Sequence, residues 1–101
     1  MKSETEQWSR PFRRCEDVVS RRIAGETILV PIRGKLADME RLFALNPVAE
    51  YIWGQLDGQR GLAQIREGVL AEFDVAEEEA DADIMAFIGE LLQAGLIEAV
   101  E

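Results

Sequence analysis

The chain has 101 residues, which fit one domain, and 48% of them are hydrophobic, which is enough for a packed core. It contains no histidine and one cysteine, so neither a histidine-dependent nucleophile system nor a zinc site of Cys and His ligands can be built from one copy. The net charge of −9 is divided unevenly, with +3 on residues 1–37 and −12 on residues 38–101. This acidic C-terminal part disfavours nucleic acid as a partner, because phosphate backbones are bound by Lys and Arg.

The N-terminal segment is polar and lacks the apolar stretch of a secretory signal. No run in the chain approaches the ~18 apolar residues that a membrane span needs. We therefore expect a cytoplasmic protein that has no membrane partner. Residues 1–16 are predicted to form a flexible polar arm, and residues 17–101 are predicted to form the folded domain.

Two runs rich in β-branched residues, 17–24 and 27–32, lie on either side of a short turn at Gly25. Such a pair predicts a β-hairpin. Pro31 cannot donate a ladder hydrogen bond, so it marks an edge position or the end of the second strand.

Residues 39–45 predict a third short strand, although the apolar residues before and within this run also permit a helix. The run leads directly into Asn46 and Pro47. Asn is a favoured helix N-cap and Pro suits the first helical position, so we expect the strand to end where a helix begins.

Apolar residues at helical spacing then predict three helices, at residues 47–56, about 62–73 and about 77–94. Residues 57–61 are predicted to form a turn, Gly95 suits the position just after a helix, and residues 96–100 form a short strand or a packed tail. The acidic residues at the start of the third helix are not spaced as the ligands of a calcium-binding loop are. We therefore interpret them as the solvent-exposed first turn of a helix, where acidic side chains are favourable. The predicted class is α+β, a small winged helix-turn-helix-like domain in which a three-stranded antiparallel sheet precedes three helices.

At this point the residues resemble the coenzyme PQQ synthesis protein D family over about residues 17–99. The resemblance is carried by Leu45-Asn46, Val48-Ala49, Ile52-Trp53, Leu56-Asp57-Gly58, Ile65, Leu70–Val75, Phe87-Ile88, Leu91 and Gly95–Glu98. It implies a non-catalytic peptide chaperone, also called a precursor-peptide recognition element. From the residues themselves we expect no cofactor and no metal. Such proteins hold the leader of a ribosomally made peptide and present it to a modifying enzyme, often a radical SAM protein, as in PQQ or related peptide biosynthesis. The leader adds as a strand to the third strand and lies against the third helix.

An exposed strand edge suits this role independently, because its N–H and C=O groups can pair with an extended peptide. The candidate edge residues are Glu40, Arg41, Leu42, Phe43 and Ala44. Two flanks of the third helix are candidates for the wall of the site. We favour the flank that contains the adaptable Met85, namely Asp81, Met85, Ile88 and Leu92; the other flank holds Asp83, Phe87, Glu90 and Ala94. Core packing is at least as good an explanation for Ile88 and Leu92.

Other functions remain open at the level of sequence. A structural subunit or a homodimer could use the same strand edge, and a DNA-binding winged helix is disfavoured because the third helix has no basic residue. The acidic start of the third helix would repel an acidic leader and favour a basic one. Neither the peptide, the modifying enzyme nor the pathway follows from the sequence.

Overall fold

A computed structural model describes residues 8–16, 18–31 and 43–100. Six strands and three helices are bounded within these residues, which confirms the α+β class and is consistent with a winged-helix-like architecture. In chain order they are β1 (Pro11–Arg14), β2 (Val18–Ile23), β3 (Glu26–Pro31), β4 (Phe43–Leu45), α1 (Pro47–Gln55), β5 (Asp57–Gly61), α2 (Leu62–Glu72), α3 (Glu77–Ala94) and β6 (Ile97–Ala99).

The predicted hairpin and third strand form one antiparallel sheet, in the order β2-β3-β4. Strands β2 and β3 are joined by the two residues Ala24 and Gly25, whose φ angles are 53° and 84°. Positive φ at both central positions is what a tight type I′ hairpin turn requires, and glycine adopts it without strain. Strand β4 pairs with β3 from Thr27↔Leu45 to Leu29↔Phe43, so within the described part of the chain β4 is an outer strand of this sheet.

A second antiparallel sheet has the order β5-β1-β6, with β1 in its centre. Strand β1 pairs with β5 from Pro11↔Gly61 to Arg13↔Asp57 through an irregularity, and with β6 at Phe12↔Ala99. The prediction of a turn at residues 57–61 was therefore incomplete, since this segment both turns and pairs. The Asp57 carboxylate accepts hydrogen bonds from the backbone N–H groups of Gln59 and Arg60, and these bonds lower the pKa of Asp57 below its ordinary value.

Part of the predicted flexible arm, residues 1–16, is folded, whereas residues 1–7 lie outside the described residues. Pro11–Arg14 is a central strand, and the side chain of Phe12 is only 3% exposed within the hydrophobic core. For these residues the prediction was wrong, because β5 and β6, on either side of β1, supply pairing partners that lie far away in sequence. Residues 11–14 are therefore part of the folded domain.

Helix α3 ends as its sequence predicts. Gly95 has a φ of 75°, its N–H donates to the carbonyl of Leu92 at 3.1 Å, and the N–H of Leu96 donates to the carbonyl of Leu91 at 2.9 Å. This pair of bonds is the Schellman arrangement, in which a left-handed residue satisfies the last carbonyls of the helix. The reversal carries Leu96 and Ile97 into the core, and the chain continues as β6 rather than as a loose tail.

One core joins both sheets and all three helices, and Trp53 lies within it at 6% exposed, as predicted. The largest fully buried side chains come from β3, from all three helices and from the segments that follow α1 and α3: Leu29, Ile52, Leu56, Leu62, Ile65, Val69, Ile84, Ile88, Leu91 and Leu96. The inner face of α3 is therefore fixed by Ile84, Ile88 and Leu91, and this fixes which flank of the helix faces β4.

Gly68 on α2 lies where Tyr51 of α1 crosses it. A Cβ atom at Gly68 would overlap the Tyr51 hydroxyl and lie 3.0 Å from the ring carbon Cζ. The Tyr51 ring is also held edge-on against Phe73, with 5.8 Å between ring centroids. The close approach of α1 and α2 at this point therefore depends on glycine at position 68, which has no side chain.

We expect Gly68→Ala to lower the free energy of unfolding by about 1–3 kcal/mol through overpacking, although helix propensity alone would raise it by about 1 kcal/mol. The control is Gly89→Ala on α3, where no atom lies within 4 Å of the added Cβ. Urea denaturation of both variants tests this prediction. Equal stabilisation by the two substitutions would contradict the described contact with Tyr51.

Candidate functional site

A groove of about 450 Å³ separates the outer strand β4 from helix α3. Both of its walls were predicted from the sequence as parts of one site. The residues that line it come from β4, from α1 and the residue before it, from the segment before α3, and from one flank of α3: Phe43, Ala44, Leu45, Asn46, Val48, Ala49, Ile52, Val75, Glu79, Asp83, Ala86, Phe87 and Glu90.

Strand β4 is held in place by its pairing with β3 and by the helix cap that follows it. Its backbone pairs with β3, the side chain of Leu45 is 8% exposed, and the chain then enters α1 at Asn46. The Asn46 Oδ1 atom accepts a hydrogen bond from the N–H of Ala49 at 2.8 Å, and Pro47 takes the first helical position. This is the N-cap that the sequence predicted, and it places the start of α1 at one end of the groove.

We expect Asn46→Ala to reduce the free energy of unfolding by about 1 kcal/mol. The substitution removes the side-chain oxygen that accepts a hydrogen bond from the N–H of Ala49, and N–H groups in the first turn of a helix have no partner within the helix. Asn46→Asp, whose carboxylate can accept the same hydrogen bond, is the matched variant and should keep most of that stability. Thermal unfolding of the two variants measures the difference. An alanine variant as stable as the aspartate variant would show that the cap does not position this end of the groove.

The groove has an apolar floor and an acidic rim. Leu45 and Ile52 are buried at its base, and the rings of Phe43 and Phe87 are half-buried on its two sides. The rim is formed by carboxylates that stand exposed on α3, at Glu79, Asp83 and Glu90. Such a surface can pack apolar side chains and attract basic ones.

The predicted edge residues are placed only in part. Phe43 and Ala44 line the groove on β4. Glu40, Arg41 and Leu42 lie outside the described residues. The edge therefore remains a prediction for these three positions.

On α3 the groove is lined by the flank that the sequence analysis did not favour. Asp83, Phe87 and Glu90 face it, whereas Ala94 packs against the core instead. Within the favoured flank, Ile88 is 1% exposed in the core, Met85 is half-buried against the core, and Leu92 is 42% exposed away from the groove. Their proposed contacts with a peptide stay predictions, but the structure does not bring these residues together with β4.

Asp81, the remaining member of the favoured flank, holds α3 against α2. Its carboxylate accepts a hydrogen bond from Nε of Arg66, and Glu77 pairs with Nη2 of the same guanidinium at 2.8 Å. The bond to Asp81 raises the pKa of Arg66 above its ordinary value. Asp81 therefore has a structural partner, and it lies on the side of α3 that faces α2.

Two further cavities lie near the surface of the first sheet and contain a polar network. Oε2 of Glu50 on α1 accepts hydrogen bonds from Oγ1 of Thr27 at 2.5 Å and from Nη1 of Arg22 at 3.2 Å. These bonds tie the β2-β3 hairpin to α1 and explain why Thr27 can be buried. Among the described residues, no group of His, Cys, Asp or Glu is arranged to hold a metal ion, and no helix is long and apolar enough to cross a membrane.

All the described residues that line the groove fall within the part of the chain that matches a known protein family. A model of the family described as coenzyme PQQ synthesis protein D matches residues 26–97, which is well over half of the chain. The chain belongs to this family. A curated relative, the PqqA binding protein of Rhizobium meliloti (strain 1021), is 34% identical over 73 residues, which are 70% of this chain and 74% of that protein. The resemblance stated from the sequence is thereby confirmed.

Two solved structures share the fold of this coenzyme PQQ synthesis protein D family member. One is TbiB1 in complex with the TbiA(beta) leader peptide, with a TM-score of 0.66 and 24% identity over 85% of this chain and 94% of that chain. The other is lasso peptide synthetase B1 complexed with the leader peptide, with a TM-score of 0.68 and 20% identity over 86% of this chain and 96% of that chain. At these identities the likeness is one of fold.

Proposed function

We propose that this protein is a non-catalytic peptide chaperone that binds the leader of a ribosomally made precursor peptide by adding it as a strand to β4. The observation that carries the proposal is the groove between the outer strand β4 and the Asp83–Glu90 flank of α3. A strand laid in this groove would pair its backbone with β4 and place alternate side chains against α3. The names of both solved structures refer to a bound leader peptide and the name of the relative refers to binding of PqqA, and these names support the proposed role.

The finer parts of the proposal concern the partner enzyme. We propose that the bound leader is presented to a peptide-modifying enzyme, with a radical SAM enzyme of PQQ or related peptide biosynthesis as the leading candidate. The chain has no histidine, so it lacks the usual general base for a reaction of its own. A carrier that binds the leader and leaves the chemistry to another protein fits this composition.

A DNA-binding role is disfavoured by charge. Helix α3 carries six acidic residues and no basic one. The single basic residue of α2, Arg66, is engaged by Glu77 and Asp81. Phosphate contacts in protein–DNA interfaces come mainly from basic side chains, so neither helix offers a suitable surface.

The proposal is tested with leader peptides encoded beside the gene of this protein, in which single backbone amides are N-methylated. Strand addition predicts that methylation weakens binding at every second residue, because only alternate N–H groups of a strand point to the neighbouring strand. Isothermal titration of the unmodified and methylated peptides measures the effect. Equal binding by all methylated forms would contradict strand addition.

Sedimentation velocity of the protein alone tests the competing role of a self-associating subunit. A monomer that binds leader agrees with the chaperone proposal. A stable dimer that dissociates when β4 is altered and that binds none of these leaders would favour self-association through the same edge.

A further inference from the structure

Some carboxylates of the helical part have a basic partner within the described residues, and others do not. Asp81 and Glu77 pair with Arg66, and Glu50 pairs with Arg22. Within the described part of the chain, the groove residues Glu79, Asp83 and Glu90 take part in no ion pair. Carboxylates that have a basic partner in the fold thus lie outside the groove, and those on its rim are available to a ligand.

No residue among the described lining of the groove is Lys or Arg. An acidic side chain of a bound peptide would meet like charge along the whole α3 wall, whereas a basic one would meet complementary charge. Charge complementarity of this kind selects partners chiefly by penalising the wrong ones.

The positions of the groove residues along α3 indicate where in a bound peptide the basic side chains should lie. Asp83, Phe87 and Glu90 lie on one flank, and the helical rise places Asp83 and Glu90 about 10 Å apart with the Phe87 ring between them. Side chains on one face of an extended peptide repeat about every 7 Å. One apolar side chain can therefore pack on Phe87 while long basic side chains two positions to either side reach the two carboxylates.

We propose that this protein selects leaders in which an apolar residue is flanked at the second position on each side by Lys or Arg. This inference rests on the proposed function, since it names the chemistry of the peptide that the β4–α3 groove holds. The apolar residue packs against Phe87, and the two basic side chains pair with Asp83 and Glu90. An acidic leader of the same apolar pattern is rejected.

The test is a selection from a displayed library of random peptides of about twelve residues, which as extended strands are longer than the whole of α3. The full chain is used as bait beside two double variants of equal net charge. Asp83→Asn with Glu90→Gln removes the groove carboxylates, and Glu72→Gln with Glu78→Gln removes exposed carboxylates outside the groove. Ala86→Trp, which fills the groove, identifies the peptides that bind there.

We expect peptides selected by the wild type to carry Lys or Arg at the two flanking positions, and the Glu72/Glu78 variant to select the same pattern. The groove variant should lose the pattern and bind a selected peptide about tenfold more weakly, as two exposed ion pairs predict. Groove-dependent peptides without basic residues, or equal losses in both double variants, would overturn the inference and leave the proposed function standing. The absence of any groove-dependent peptide would overturn the proposed function itself.

Discussion

Replacing Phe12 by alanine should lower the free energy of unfolding by about 3–5 kcal/mol. The side chain is 3% exposed, and removal of a buried phenyl ring loses its transfer free energy and leaves a cavity. Domains of this size have total stabilities of about 5–15 kcal/mol, so this loss would be a substantial part of the total. The expected result follows from the position of β1 between β5 and β6, which makes the N-terminal segment part of the domain.

The matched control for this prediction is Arg13→Ala, the next residue of the same strand. Its side chain is exposed and its ion pair with Glu98, at 3.0 Å, is worth about 0–1 kcal/mol in such a setting. Urea denaturation followed by Trp fluorescence measures both variants. A loss below about 1 kcal/mol for Phe12→Ala would mean that the segment is the dispensable arm that its polar composition suggests.

Replacing Ala86 by tryptophan should weaken leader binding by more than tenfold. Ala86 is exposed on α3 and lines the groove, so the indole would occupy the space that we assign to the peptide strand. A peptide then loses both its packing against Phe87 and its approach to β4. Losses of about 2 kcal/mol or more are typical when the central contacts of an interface are removed, and 1.4 kcal/mol corresponds to tenfold in affinity.

Ala82→Trp is the control for this second prediction. Ala82 is also an exposed alanine of α3 and lies one turn away from Ala86, but it does not line the groove. Both substitutions carry the same cost in helix propensity, about 0.5 kcal/mol, so a difference in binding reports on the groove. Leu92→Ala extends the comparison to the flank that the sequence favoured. Binding that survives Ala86→Trp but is lost in Leu92→Ala would place the peptide on that other flank.

The first sheet and the helices could be predicted because their signals are local. The β2-β3 hairpin follows from two β-branched runs around Gly25, and the bounds of α3 follow from its apolar spacing and from Gly95. The second sheet could not be predicted in this way. Its strands pair residues such as Phe12 and Ala99, which are far apart in the chain, and the polar composition of β5 is that of a turn.

The candidate site was predicted at the level of its elements and, on β4, at Phe43 and Ala44, but the favoured flank of α3 is not the one that lines the groove. Strand β4 and helix α3 were both predicted to form the site. The helical spacing of apolar residues, however, does not show which flank of α3 faces β4. The choice between Asp81 and Asp83 depends on how α3 is rotated in the core. That rotation is set by Ile84 and Ile88 and by the bond between Asp81 and Arg66, which join different elements. The sequence carried no signal that separates the two flanks, since both contain acidic residues and Arg66 of α2 could pair with either.

The most direct test of the account is an NMR titration of the labelled protein with leader peptides encoded beside its gene. We predict chemical-shift changes at Phe43–Leu45 of β4 and at Asp83, Phe87 and Glu90 of α3, with small changes at Met85 and Leu92. Changes confined to Met85 and Leu92 would contradict the groove as the binding site. No change with any such leader, together with concentration-dependent broadening at β4, would contradict the chaperone role and indicate self-association.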